Sequence, residues 1–570
     1  MSDMRSQLDT SDALYGSADD LASQLIVRHA QLKRVKLQYE PLHQEIAKFV
    51  NPRREDIQRT DQKGIKRGKD VYDGTALGAL NTWVDGMQGA MVSEAIQWFR
   101  TLTSIKELKD DKEVLRWHQE FDEAMYDSFR RSNFYDMLPE WFRDAGSVGT
   151  GTPYTEEDFV LRTARHTVIH PGELYIAEDA WGRVDTVHRE FKKTARQIVQ
   201  KFTRDAHRNN TGNIPPEILT SAKDNPETEY TILHCVFPNT DRDIIKLTAS
   251  GKVYSSVYLS IKGKKILRLG GNNINPYTPW RLRKNSDEVW GYSQAADAIV
   301  EIRTLNGIGK TNLKVSQLQA EPPMNIPEEM RGRTQIKPRG RNYFTDPQRV
   351  MSAIRDNIRL EPSLEREKRL QESIEAKYGV EFFLMLARSE REMTLGEVIE
   401  KLGEKAVLMA SQASQMMREA LIPIFNKQVI IEARFGNLPE IPPQLEPYIG
   451  QEAYRIDFIG ELARAQRRLL AVRNIMTSIE SVTPVMQIEP SVVERFDWHE
   501  IAEELADQNG MPRKFMRSDE EVDAILADKA KRAAIQQALE LAETASKASR
   551  NLAKGAEEGS PLEALVGAGK

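Results

Sequence analysis

The sequence predicts a mainly helical α+β protein, and three observations carry that expectation. Apolar residues recur at helical spacing from Leu395 through Val398, Leu402, Met409, Met416 and Leu421 to Phe425, which marks one very long amphipathic helix. Alternating apolar and polar residues between 150 and 285 ask for antiparallel strands. Further helical stripes lie on both sides of that β-rich stretch.

Composition narrows the classes. The chain has 570 residues, of which 29% are charged, and its formal net charge is −5. Both signs are mixed almost everywhere, whereas a protein that grips nucleic acid gathers Lys and Arg on one face. No run of eighteen apolar residues is present, so no membrane-spanning helix is expected. Met1 to Gln7 lack the apolar core of a signal peptide. Cys235 is the single cysteine, which excludes disulfides within the chain and thiolate metal clusters. Synthesis in a reducing cytosol follows.

Taken in order, residues 18–50 read as an amphipathic helix interrupted near Pro41. A basic loop over 53–69 follows, for which a solvated surface role is the plainer reading and a nucleic-acid contact the sharper one. Val71-Tyr72-Asp73-Gly74-Thr75-Ala76 opens a helix rich in small residues that runs toward Trp98-Phe99. Helices over 109–131 and 137–145 come next, then a turn-rich junction from Gly146 to Pro153. Strands are expected over 159–169, 174–178 and 184–191, with turns at Pro171-Gly172 and Trp181-Gly182. A short helix over 194–202 precedes a loop-like stretch over 209–228. Strands follow over 230–237, 244–247, 252–259 and 264–268.

A helix over 292–313 leads to an irregular, proline-rich excursion over 320–361, closed by a helix over 348–359. After Pro362 a charged helix runs to Tyr378. The apolar segment Val380 to Leu386 then enters a charged loop, Arg388-Ser389-Glu390-Arg391-Glu392. Thr394 and Glu397 stand at capping-box spacing and start the long helix. It would be about 60 Å long at 1.5 Å per residue. Pro423 should bend it, and Gly436 and Pro439 stop it. Helices over 460–479 and 492–508, an Ala-rich helix over 518–553 and a small, polar tail complete the chain.

Chemistry is harder to find. Gly307-Ile308-Gly309-Lys310-Thr311 looks like part of a phosphate-binding loop, but Thr304 stands where the first glycine is needed and the preceding residues are helical. His166 and His170 have no third ligand in view, so packing is the better reading. Neither a nucleophile elbow nor a carboxylate pair stands out. The expectation is a protein without enzymatic activity, cofactor or metal.

The order of features resembles one family, the head-to-tail connecting, or portal, proteins of short-tailed, podovirus-type double-stranded DNA bacteriophages. Asn51-Pro52-Arg53-Arg54, Tyr72-Asp73-Gly74-Thr75-Ala76 and Trp98-Phe99 carry the resemblance near the start. Pro279-Trp280-Arg281, Glu288-Val289-Trp290-Gly291-Tyr292 and Leu305-Asn306 carry it in the middle. Phe382-Phe383-Leu384-Met385-Leu386 and Met393-Thr394-Leu395-Gly396-Glu397-Val398 carry it later. The likeness covers roughly residues 21–511.

The resemblance implies a wing, stem, clip and crown architecture with a long kinked spine helix, assembled as a ring of twelve. Residues 1–285 and 394–510 would form the wing and spine, 286–319 and 362–386 the stem, and 320–361 the clip. Residues 387–393 would be the tunnel loop, and 511–570 a crown-side helix and tail. Arg388, Glu390, Arg391 and Glu392 would face double-stranded DNA in the channel. Arg331, Arg333, Lys337, Arg339 and Arg341 would serve clip docking. The implied partners are the terminase large subunit, scaffolding and major capsid proteins, and tail adaptor or nozzle proteins, at the portal vertex of the virion. A helical adaptor or scaffold protein without a channel is the competing reading.

Overall fold

The computed structural model describes residues 18–58, 67–109, 111–203, 213–240, 242–243, 249–322, 324–328, 332, 352–353, 361–387, 411–448 and 454–460. Beyond these it describes short pieces between 478 and 502 and the helix Asp519–Lys554. The chain divides into two compact units, Met1–Leu469 and Leu470–Lys570. The described elements mix helix and sheet, as the sequence leads one to expect.

The first unit opens with α1 (Ala18–Lys36) and α2 (Glu40–Val50), separated where Pro41 occupies the first turn of the second helix. Proline is tolerated there because the N–H it lacks would be unpaired anyway. Helix α3 (Thr75–Met91) ends well before Trp98, and Phe99–Thr103 is a strand, β1. Its partner is β12 (Tyr454–Phe458), in the register Phe99↔Phe458. The sequence reading anticipated neither strand.

Helices α4 (Lys112–Arg131) and α5 (Phe134–Val148) follow. Asp111 caps α4 by accepting the N–H groups of Glu113 and Val114 at 2.9 and 3.1 Å, which satisfies two otherwise unpaired donors. The expected turn-rich junction at 146–153 is instead the end of α5 and the start of β2 (Thr150–Asp158). Gly149 makes the change of direction at φ +84°. A Cβ there would overlap the Gly291 carbonyl.

Strand β2 pairs with β3 (Thr163–Ile169) on one side and β9 (Trp280–Arg281) on the other. The expected strand over 159–169 therefore begins in the hairpin turn. The second sheet has the order β4 (Leu174–Glu178), β5 (Val184–Thr194), β6 (Glu229–Pro238), β7 (Tyr254–Ser260), β8 (Lys265–Asn272), all antiparallel. The strand expected over 244–247 lies outside the described residues.

Helix α6 (Ala195–Phe202) starts at a Thr194–Gln197 capping box. Helix α7 (Pro216–Asp224) occupies part of what reads as loop in the sequence. Helix α1 covers one face of the five-stranded sheet with Leu21, Ala22 and Leu25. Helices α6 and α7 lie on the other face, against Phe191, Ile232 and Tyr258.

The principal core joins α3, α4, α5 and the later helices around Trp83, Trp98, Trp141 and Trp280. In the second unit, Asp519–Lys554 is a single 36-residue helix. It carries ion pairs one turn apart, such as Arg532–Asp528 at 2.9 Å.

Candidate functional site

Two helices form a stalk. Helix α8 (Gln294–Ala320) begins at Ser293, whose hydroxyl accepts the Ala296 N–H at 3.2 Å. Helix α9 (Glu361–Tyr378) carries Pro362 in its first turn, so this proline starts the helix and does not interrupt it. The two run antiparallel. Near the far end Asn312 donates to Glu367 at 2.9 Å and accepts from the Ser363 hydroxyl at 2.9 Å. Near the base Lys377 bonds the Asp297 carbonyl at 2.8 Å and pairs with Glu301. Gly307 to Thr311 are turns within α8, not a loop after a strand.

The excursion leaves and re-enters this stalk through β10 (Met324–Asn325) and β11 (Ser352–Ala353), paired antiparallel. Ser352 and Ala353 are thus strand residues, where the sequence suggested a helix over 348–359. Arg331, Arg333, Lys337, Arg339 and Arg341 lie outside the described residues, as do Arg388, Glu390, Arg391 and Glu392.

The motifs singled out in the sequence converge on the base of the stalk. Asn306 accepts the Tyr72 N–H at 2.7 Å and donates to the Asp70 carbonyl at 2.9 Å. Asp73 accepts from Gln371 of α9 at 3.2 Å and from the Thr75 N–H at 2.9 Å. Arg54, from the basic loop, is no free surface cation. It chelates buried Asp144 at 2.9 and 2.8 Å and reaches Glu140 as well. Burial pushes the Asp144 carboxyl up to about 6 despite that guanidinium. Asn51 is buried against Ser147.

After Gly379, at φ +66°, the chain continues as α10 (Val380–Ala387). Phe382 and Phe383 are buried in the principal core. Phe383 lies flat on α3 where Gly86 leaves room; any Cβ at Gly86 would overlap its ring. Thus α3 and α10 hold the chain up to the point where the charged loop begins.

The long helix is described from 411 onward. It is interrupted by a π-turn, Met417–Leu421, and resumes as Ile422–Phe435 with Pro423 in its first turn. A proline ring collides with the carbonyl four residues earlier. That carbonyl belongs to Glu419, and the widened turn makes room there. Gly436 ends the helix at φ +70°, and Asn437 N–H reaches back to the Glu432 carbonyl at 3.0 Å, as in a Schellman motif.

Two buried polar clusters lock this spine to the sheets. Arg281, 1% exposed, pairs with Glu419 and Glu178. Its Nη2 also donates to the Gly182 carbonyl at 3.0 Å, and Lys284 pairs with Glu178 at 2.8 Å. Farther along, His166 donates from Nε2 to Gln428 at 3.2 Å and accepts from Thr155 at Nδ1 at 3.1 Å. Gln428 donates to Ser128, while fully buried Glu432 takes Thr163, Asn437 and Arg131. Burial pushes Lys427, bonded to Thr278, down to about 7. These groups are consumed in packing. His166 and His170 share no ligand position, since His170 accepts the Gly172 N–H at 3.0 Å.

Sequence reasoning missed the Arg281–Glu419 pair, although a signal existed. Glu419 interrupts an apolar run, Met416, Met417, Ala420, Leu421, four residues before a proline. Among the described residues no group of three or more His, Cys, Asp or Glu could hold a metal. None of the described helices is long and apolar enough to cross a membrane.

A family model described as bacteriophage head to tail connecting protein matches residues 22–516. The chain is similar to a portal protein of Salmonella phage epsilon15, 26% identical over 558 residues, covering 94% of this chain and 96% of that protein. It is also similar to a probable portal protein of Bordetella phage BPP-1, 27% identical over 542 residues, covering 92% and 94% of the two chains.

Proposed function

The chain belongs to the bacteriophage head-to-tail connecting family, and from this premise we propose that it is the portal protein of its phage. It forms a ring at one capsid vertex, the channel through which double-stranded DNA is packaged and ejected. The observation that carries this reading is the match across residues 22–516, which spans wing, stalk and spine together. The stalk supports it physically. Two antiparallel helices, tied by Asn312, Ser363 and Glu367, raise the 320–361 excursion away from the core. That suits the excursion, as the clip, to dock first the terminase large subunit and later the tail adaptor or nozzle. Scaffolding and major capsid proteins are the partners at the vertex.

The role is passive. The ring conducts and docks, and the ATP-driven work belongs to the terminase. Twelve copies at −5 each would carry about −60 formally, and a mildly repulsive wall keeps DNA from sticking. Arg388 and Arg391 touch the phosphates, moderated by Glu390 and Glu392.

The test is mass and shape in solution, by light scattering with negative-stain microscopy. A twelve-membered ring of 65.0 kDa chains has a mass of about 780 kDa and a central hole. A monomer or dimer that persists at high concentration and with scaffolding protein added would overturn the ring and favour an adaptor without a channel.

A further inference from the structure

The β2–β3 hairpin ends in Phe159, Val160 and Leu161, which are 75%, 90% and 59% exposed. Single exposed hydrophobics are ordinary, but a contiguous set marks an interaction site. This tip is also braced. The Asp158 carboxylate accepts the N–H groups of Val160 and Leu161 at 2.9 and 3.0 Å. Arg162, at φ +53°, donates to the Phe435 carbonyl at 3.0 Å, and Asn437 donates to the Arg162 carbonyl at 3.0 Å. The Phe159 ring stands edge-on to Phe435, 5.9 Å between centroids. Apolar side chains fixed outward in this way lose little freedom when a partner covers them.

A second apolar patch lies on α1. Val27 and Val35 are 60% and 41% exposed, and Leu37 just beyond the helix is 53% exposed. They are on the side turned away from Leu21, Ala22 and Leu25, which pack on Cys235, Val257 and Leu259. The hairpin packs on the other face of that same sheet, where the Tyr154 hydroxyl meets the Tyr258 hydroxyl at 3.2 Å. Val257 and Tyr258 are consecutive in β7, so their side chains point to opposite faces. The two apolar patches therefore lie on opposite sides of one sheet and cannot cover each other within a chain.

We infer that the hairpin tip of one copy docks on the outer face of α1 in the next copy around the ring. The inference rests on the ring reading above. Contacts between two different surfaces of identical chains are what generate closed rings. The charges agree in sign. Glu156, Glu157 and Asp158 lead into the tip, whereas α1 carries Arg28, Lys33 and Arg34. The carboxylates already have partners within the chain in Lys201, Arg434 and Arg165, so their part is to steer the approach and not to bind. Each patch is far smaller than the roughly 800 Å² per partner of a standard interface. The tip is thus one anchor of a larger contact, felt only in the assembled ring.

The test uses the full chain carrying both Val27→Cys and Val160→Cys. Native Cys235 is buried and its thiol is pushed well above the ordinary range, so it stays silent. Assembled rings treated with a short bismaleimide should give a ladder of covalent multimers, absent from either single-cysteine variant. In parallel, Val160→Glu should raise the subunit concentration needed for assembly by about tenfold without moving the thermal unfolding of the unassembled chain. Rings that form without a ladder, or an unchanged assembly threshold, overturn the contact and leave the ring reading standing. If the wild-type chain forms no rings, the ring reading fails and takes this contact with it. Normal rings of Val160→Glu that fail to enter heads would assign the tip to another virion protein and overturn the inference as well.

Discussion

Glu419, on the π-turn of the spine, accepts both the backbone N–H of Arg281 at 3.0 Å and its Nε at 3.2 Å. One carboxylate thus fixes strand β9 against the helix at the point where Pro423 forces the helix to widen. Arg281 is 1% exposed, so deleting it leaves Glu419 and Glu178 facing each other with little water to screen them. Arg281→Met should lower the unfolding free energy by about 3 kcal/mol, the range for breaking a buried pair. Arg281→Lys, which keeps the charge but loses the fork, should fall between. Denaturant midpoints measure both. A loss below about 1 kcal/mol, the ordinary size for any substitution, would show that the pair does not hold the spine.

Much of this arrangement is legible in sequence because its signals are local. Thr194 with Gln197, Pro41 and Gly436 mark helix ends by rules that act within a few residues. The stalk, too, follows from two charged helices around a proline-rich stretch. What escapes is non-local or double-edged. Strands β1 and β12 are five residues each and pair across more than 350 positions, so periodicity near Trp98 reveals nothing of Phe458. Pro215 and Pro216 read as loop, yet Pro216 is the first residue of α7, where its fixed φ favours the helix. Phe159, Val160 and Leu161 read as a buried strand because apolar residues usually are buried; here they stand at an exposed tip. The Arg281–Glu419 pair joins two stretches that the sequence shows only as a tryptophan motif and a helix.

Acid should weaken the fold. Burial holds His43 and His188 down to about 3 and His118 and His166 down to about 4. It holds His234 well below its ordinary value. A depressed imidazole gives stability that is present above about 6.5, the unfolded value, and lost as pH falls through the folded value. Burial acts the other way on Asp122, pushed up to about 7, and Asp144, up to about 6; their contribution is present at low pH and lost as pH rises. Near pH 5 the five imidazoles outnumber the two carboxyls, so unfolding takes up about three protons. Stability should fall by about 4 kcal/mol per unit around that pH, and His166→Gln should reduce the slope by one proton. Chemical denaturation at pH 5.5 and 4.5 decides it. A flat or opposite slope would mean that these imidazoles are not held neutral.

The charged loop can be tested apart from the scaffold that carries it. Upstream, Phe382 and Phe383 are sunk in the core against α3; downstream, Arg281 and Glu419 pin the spine. Arg388→Glu with Arg391→Glu touches neither anchor, so rings and empty heads should form in normal yield. What changes is the sign of the charge offered to the phosphates. Cations that contact the DNA backbone contribute in proportion to their number and are screened by salt. The double reversal should therefore cut DNA-filled heads by about tenfold at moderate salt, and the Gln pair should cut them less. Counting filled and empty heads by microscopy and density-gradient sedimentation separates the two effects. Filled heads in normal yield from the double reversal would remove Arg388 and Arg391 from the channel. Loss of rings would place them in assembly instead.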